Sequence, residues 1–361
     1  MLENFLKTEI AQRWIAYIQK YERHAGIAAL FSGFIFDTLT LGRPDELLGN
    51  LVLGSYIFVS AGCIIALSFY GRTKKIAPIF LLLFLQFCLG NIAGGLLVLY
   101  GQSGTFEGSF LFFGIFGIFV IANEFFRKQY ELLNFHIGAW FFLILAYTAL
   151  IVPVVLKQMG DNVFIGSVFF ATAIVGLLML CIYLISPAVF TGVKKKVGAT
   201  LLSIGVLFIG FYFFNIIPPV PLSLNQIGIF HSITRTNAGY KAVFEKPQWY
   251  EFFRITNKTF AARDGEKAYC FVSVRAPVSL HATLYHRWEI YDEIAQGWKT
   301  VQTLSFPITG GRAEGFRGYS EKEVSLGKWR CGVETSRGAL VGRTTFTVTE
   351  GLRQPLSIIV L

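Results

Sequence analysis

The sequence has no C-x-x-C pair, no H-E-x-x-H helix, and only five histidines spread over 361 residues. It therefore shows no metal-ligand spacing, and neither a metal nor a cofactor is expected. There is no Walker loop, no G-x-G-x-x-G after a strand and no G-x-S-x-G elbow. Asp292 and Glu293 are adjacent and near a turn, a poor arrangement for an acid/base pair. These absences lower the expectation of an enzyme, and no motif names a reaction. Charge is also scarce: Asp, Glu, Lys and Arg make up 15% of the chain.

What fills that space is apolar. Seven runs read as membrane spans: Ala25–Leu41, Leu47–Tyr70, Ile76–Tyr100, Phe106–Ala122, Phe135–Leu156, Val163–Ile185 and Gly198–Ile217. Each approaches the ~20 apolar residues that a hydrocarbon core about 30 Å thick requires of a helix. The basic residues between them alternate. The amino-terminal tail and the second, fourth and sixth connections hold twelve Lys and Arg; the first, third and fifth hold only Arg43 and Lys157. Cytoplasmic loops carry the excess, so residues 1–24 are expected inside the cell and everything after residue 217 outside. The net charge of +10 is thereby partly explained by topology and gives no reason to expect nucleic acid.

Ahead of the first run, Leu2, Phe5, Leu6, Ile10, Trp14, Ile18 and Tyr21 recur three to four apart. Residues 1–24 are thus expected to form an amphipathic helix lying in the inner interface. No small-residue cleavage site follows the first run, which reads as an uncleaved signal anchor. A seventh-span lysine, which a retinal-type receptor would need, is missing. Polar groups in or beside the spans are Asp37, Asn91 and Glu107 on the outer side, and they have two readings. They line an outward-open path for a substrate or proton, or they reach headgroups and solvent at helix ends. No internal repeat with matching broken helices supports the first.

Residues 218–226 carry three prolines in four positions and predict a stiff exit linker. Residues 227–361 alternate as strands, with candidate runs Gly228–Thr234, Trp249–Thr256, Ala268–Arg275, Ser279–Ile290, Trp298–Phe306, Gly327–Glu334, Leu340–Val348 and Pro355–Leu361. Their spacing points to one immunoglobulin-like β-sandwich. The expected fold class is thus α+β multi-domain: a seven-helix transmembrane bundle over residues 25–217, then an extracytoplasmic β-sandwich. In Ser279–Ile290, Ala282, Leu284, His286, Trp288 and Ile290 share one face, so His286 is expected to point inward beside Trp288. Such a histidine either grips a ligand or sits in the core bonded to a backbone carbonyl. Cys270 and Cys331 also fall on inward faces. They form either a disulfide, which an oxidising compartment permits, or two buried thiols.

In order along the outer part come His286-Arg-Trp288, Arg317-Gly-Tyr319-Ser320-Glu-Lys322 and Gly327-Lys-Trp329. This series resembles the bacterial domain-of-unknown-function family 2914, over roughly Trp249 to Val348. Cys331 stands where that pattern usually has valine. The resemblance implies a membrane-tethered envelope domain of Gram-negative bacteria, here in the inner membrane with its outer part periplasmic, and brings no activity with it. The glycine-rich stretch Gly310–Ser320 is the best surface candidate. Arg312, Arg317 and Tyr319, with Lys322 beyond, can grip an anionic or sugar ligand by bidentate contacts and stacking; the same composition also makes a plain loop. Two functions remain. In the first, the bundle anchors and the outer domain binds a protein partner or anionic envelope polymer, with His286, Trp288 and Trp329 holding the core. In the second, a transporter or membrane enzyme works at Asp37, Asn91 and Glu107 with the outer domain as a lid.

Overall fold

The computed structural model describes residues 44–361 except 74–78, 104–105, 126–132, 238, 247–248, 250–254, 263–264, 312–314 and 352–354. The first expected span and the amphipathic segment before it lie outside the described residues. Among the described residues six helices come first: α1 Leu47–Thr73, α2 Ile79–Ser103, α3 Phe106–Phe125, α4 Leu133–Leu156, α5 Asp161–Ile185 and α6 Pro187–Phe213. Five of them are long and apolar enough to cross a membrane. In lipid only a helix satisfies all its own backbone groups, so long apolar runs without charge have one stable form. The exception is α3, which is broken at Ser109, where φ is −136°, and whose described apolar stretch is Ser109–Ile118.

The last helix departs from the expected seventh span. It begins at Pro187, not Gly198, and runs through Lys194, Lys195 and Lys196. Proline suits a first helical position because its missing N–H would be unpaired there anyway. Ser186 precedes it, and its carbonyl accepts the Phe190 N–H at 3.0 Å. At 1.5 Å per residue, 27 residues span about 40 Å, more than the hydrocarbon core, so the three exposed lysines occupy helix rather than loop.

The chain forms two compact units. The first gathers the described residues up to Val98 with Ile115–Ile144 and Thr172–Ile204. Within it, the Trp140 indole N–H donates to Ser60 Oγ at 2.9 Å, the Ser186 hydroxyl to the Ser68 carbonyl at 3.1 Å, and Arg72 to the last carbonyl of α5, that of Ile185, at 2.6 Å. These bonds pin α1 against α4 and against the α5–α6 junction.

The second unit gathers Leu99–Gly114, Leu145–Ala171 and Gly205–Leu361. Its described residues include eleven strands, β1 Ser223–Phe230, β2 Ser232–Thr236, β3 Gly239–Glu245, β4 Thr259–Ala261, β5 Lys267–Arg275, β6 His281–Asp292, β7 Gly297–Thr309, β8 Phe316–Glu323, β9 Gly327–Thr335, β10 Leu340–Thr349 and β11 Leu356–Val360. They form three sheets, ordered β1-β5-β8, β4-β10-β9-β6-β7 and β11-β3-β2. All pairs are antiparallel except β4 with β10. β1 opens at Ser223, inside the stretch expected to be linker, and Val220 and Leu222 are already buried.

Residues of the first two sheets share one core, including Cys270, Val272, Leu284, Trp288, Trp329, Cys331 and Phe346. The third sheet builds a second, smaller core on the other face of β1 and β5, from Phe230, Ile233, Ala242, Phe244 and Phe271. β5 is therefore buried on both faces, with Cys270, Val272 and Val274 toward one core and Phe271 toward the other. That is why it reads as a nearly continuous apolar run. The strand series predicts one core; β3 and β11 add the second.

Candidate functional site

β8 carries three of the four surface residues singled out in the sequence, and alternation divides them. Lys322 pairs with fully buried Ala268, and its neighbour on that face, Ser320, is buried as well. Arg317 and Tyr319 point to the opposite face. There Tyr319, 42% exposed, meets Tyr240 and Tyr269 with ring centroids 5.9 and 6.1 Å away. Beside them Lys267 pairs with Glu321 at 2.8 Å. One guanidinium nitrogen of Arg317 donates to the Leu361 carbonyl at 3.0 Å, so that side chain also ties β8 to the third sheet. Arg312 lies outside the described residues. Of the glycine-rich stretch, Phe316 onward is strand, because β5 offers it a full edge from Val274 to Lys267.

Behind β8 is a second constellation, wholly buried. His286 and Trp288 on β6 both reach the hydroxyl oxygen of Ser320: Nδ1 of His286 lies 2.8 Å from it, and the Trp288 indole donates at 2.9 Å. His286 is 2% exposed, with the Phe306 ring edge-on at 4.6 Å between centroids. Its partner is thus a side chain, not the backbone carbonyl expected of a core histidine. Burial pushes the imidazole down to about 4, because it disfavours the charged form. Adjoining it, Cys270 on β5 and Cys331 on β9 are joined in a disulfide that ties the first two sheets together. Trp329 donates to the Ser325 carbonyl at 2.8 Å, and the Arg330 guanidinium lies 4.3 Å from the Trp298 ring while pairing with Glu289.

The residues that carry the family resemblance therefore converge: H-x-W supplies two donors or acceptors, and the serine of R-x-Y-S-x-K receives them. Residues 281–348 match the family described as Protein of unknown function (DUF2914). The chain carries a DUF2914 domain. Its matched segment begins with the first residue of β6 and ends within β10, so it holds His286, Trp288, Ser320 and Cys331 but not Cys270. No curated protein matches the chain. Among solved structures it is similar to "Pseudomonas fluorescens alkylpurine DNA glycosylase AlkC bound to DNA containing an abasic site analog", at 10% identity over 84% of this chain and 99% of that one. The TM-score is 0.24, too low for that likeness to carry any argument.

A third feature had no sequence signal. Arg337, in the turn between β9 and β10, donates to Asp161 at 2.6 Å and to the Phe213 carbonyl at 3.3 Å, and lies 4.4 Å from the Tyr212 ring. Tyr212 in turn stacks on Phe164 at 3.6 Å. A cation over the unpaired carbonyls at a helix end is favourable in itself. At the same joint, the His281 N–H donates to the Lys157 carbonyl at 3.1 Å. A cavity of about 100 Å³ adjoins these contacts, lined by Ala149, Pro153, Met159, Phe164, Tyr212 and Arg337 among others. Replacing Arg337 with alanine removes charge-assisted bonds and is expected to cost about 2 kcal/mol. Limited proteolysis should then cut the Phe214–Leu222 segment several-fold faster than in the wild type.

Of the membrane-side candidates, Asp37 lies outside the described residues, and Glu107 falls in the first turn of α3. Asn91 donates to the Phe87 carbonyl one turn back in its own helix, at 2.7 Å.

Proposed function

We propose that this chain is an inner-membrane protein of seven spans whose periplasmic part is an immunoglobulin-like β-sandwich. In this reading the sandwich binds a protein partner or an envelope polymer and catalyses nothing. Several observations support the topology. Arg72, from a connection rich in basic residues, caps the α5 end beside another such connection. Lys157, from a connection poor in them, meets β6. The Cys270–Cys331 bond suits an oxidising compartment. Binding rests on one observation: Tyr319 stands exposed beside Tyr240 and Tyr269, with Arg317 on the same face. Tyrosine and arginine are enriched where interfaces concentrate their energy, because a rigid ring buries much area for little lost entropy.

The test is in-cell crosslinking of the intact protein followed by identification of the captured species. Tyr319→Ala is expected to cut specific capture at least about tenfold, the effect of losing one interface anchor. Tyr319→Phe, which keeps the ring, should retain most of it. Undiminished capture in a variant carrying both Tyr319→Ala and Arg317→Ala would rule this surface out.

A further inference from the structure

Around the disulfide, a ring nitrogen of His286 and the sulfurs of Cys270 and Cys331 all lie within 4.8 Å of one another, and all three residues are buried. Nε2 of His286 has no hydrogen-bond partner among the described residues. A buried polar nitrogen without a partner is costly, and native cores rarely leave one so. The Ser320 oxygen has two lone pairs, one taken by the Trp288 indole. The other can accept Nδ1–H of His286, which leaves the lone pair on Nε2. That is the outer support a metal-bound histidine ordinarily has: one nitrogen held by a protein oxygen, the other free to ligate.

We propose that the reduced form of this site binds a zinc ion through Cys270, Cys331 and His286. Reduction by a phosphine breaks the S–S bond. The phosphine and one water become phosphine oxide, and the disulfide becomes two thiols. Zn²⁺ then displaces one proton from each thiol and takes the neutral imidazole as third ligand. Two thiolates balance the dication, so the complex is uncharged, as a dry core requires. Zn–S bonds of about 2.3 Å and Zn–N bonds of about 2.0 Å put tetrahedral ligands roughly 3.5–3.8 Å apart. Once the bond is broken the sulfurs must move apart by roughly 1.7 Å, while a ring nitrogen of His286 already lies within 4.8 Å of both. Three protein ligands leave one position open, so the ion is exchangeable rather than sealed in. The disulfide and the zinc complex exclude each other, and the redox state of the pair decides between them.

The experiment uses the full chain in detergent micelles, oxidised or reduced with a phosphine, with zinc held at buffered concentrations. Zinc is expected to raise the melting temperature of the reduced β-rich part and to protect Cys270 and Cys331 from alkylation, read by mass spectrometry. The oxidised protein should show neither effect. Ser320→Ala keeps all three ligands and should weaken binding about 10–100-fold. His286→Ala should abolish both effects, and Cys63, Cys88 and Cys181, common to every variant, cancel in that comparison. Should reduction alone unfold the β-rich part, zinc is expected to refold the wild type, but not His286→Ala, by tryptophan fluorescence. Zinc that leaves the reduced wild type unchanged, lowers its melting temperature, or acts equally on His286→Ala overturns the proposal.

Discussion

Reducing the Cys270–Cys331 bond in metal-free buffer is expected to lower the stability of the β-rich part by about 4 kcal/mol. The two cysteines are 61 residues apart, and in the chain-entropy account a loop of that length gives a figure of this size. The bond closes β5 in one sheet to β9 in another, and both sulfurs belong to the shared core. Without it the unfolded chain gains freedom while the folded core keeps its shape. Urea unfolding with and without a phosphine, a metal chelator present throughout, measures the difference. The reduced midpoint should fall by about 2 M if the urea slope is near 2 kcal/mol per molar. Coincident midpoints would mean that the pair is open in the native protein. Replacing both cysteines with alanine should cost somewhat more than reduction, because two buried sulfurs are then missing from the core.

The parts of this architecture that were legible are those with a local cause. Leu47 and Phe106 begin helices, and Leu156 and Ile185 end them, where the sequence bounds apolar runs, because each such run is long enough for one continuous apolar helix. The start of α6 was not legible. Lys194-Lys195-Lys196 looks like a loop, yet the three exposed lysines lie inside one continuous helix of 27 residues. Among the strands, β6, β9 and β10 announce themselves by alternation. β8 does not: its glycines read as loop, and only an edge of β5 fifty residues earlier makes it a strand. β4 is three residues long and exists because β10 runs beside it.

Contacts follow the same division. That His286 and Trp288 face inward follows from strand period alone. That they share Ser320, 34 and 32 positions away, is a matter of how two sheets face each other. The Arg337–Asp161 pair, 176 positions apart, has no local trace whatever. Sequence patterning therefore gives the face of a side chain but not its partner. For the candidate surface this mattered: Arg317 and Tyr319 stay together, whereas Lys322 falls on the opposite face of the same strand.

The buried histidine makes a second large effect. In the disulfide-bonded protein, His286 is held down to about 4, against 6.5 for an ordinary imidazole. Between those values the unfolded chain binds a proton that the folded one refuses, so acid favours unfolding. Stability is whole above about pH 6.5, falls as pH drops through 6, and has lost about 2 kcal/mol by pH 5. Not every group acts in this direction. Burial raises the carboxyl of Glu334, which then takes up a proton more readily in the folded state and opposes the loss. Asp292 and Glu321 are held low, by backbone N–H groups and by Lys267 respectively, and destabilise only in stronger acid. A difference measurement isolates the histidine. Urea unfolding of wild type and His286→Gln at pH 7.5 and 5 should show a steeper acid loss in the wild type by about 2 kcal/mol. Equal slopes would mean that His286 titrates freely in the folded protein, and the closed core around Ser320 would then be wrong.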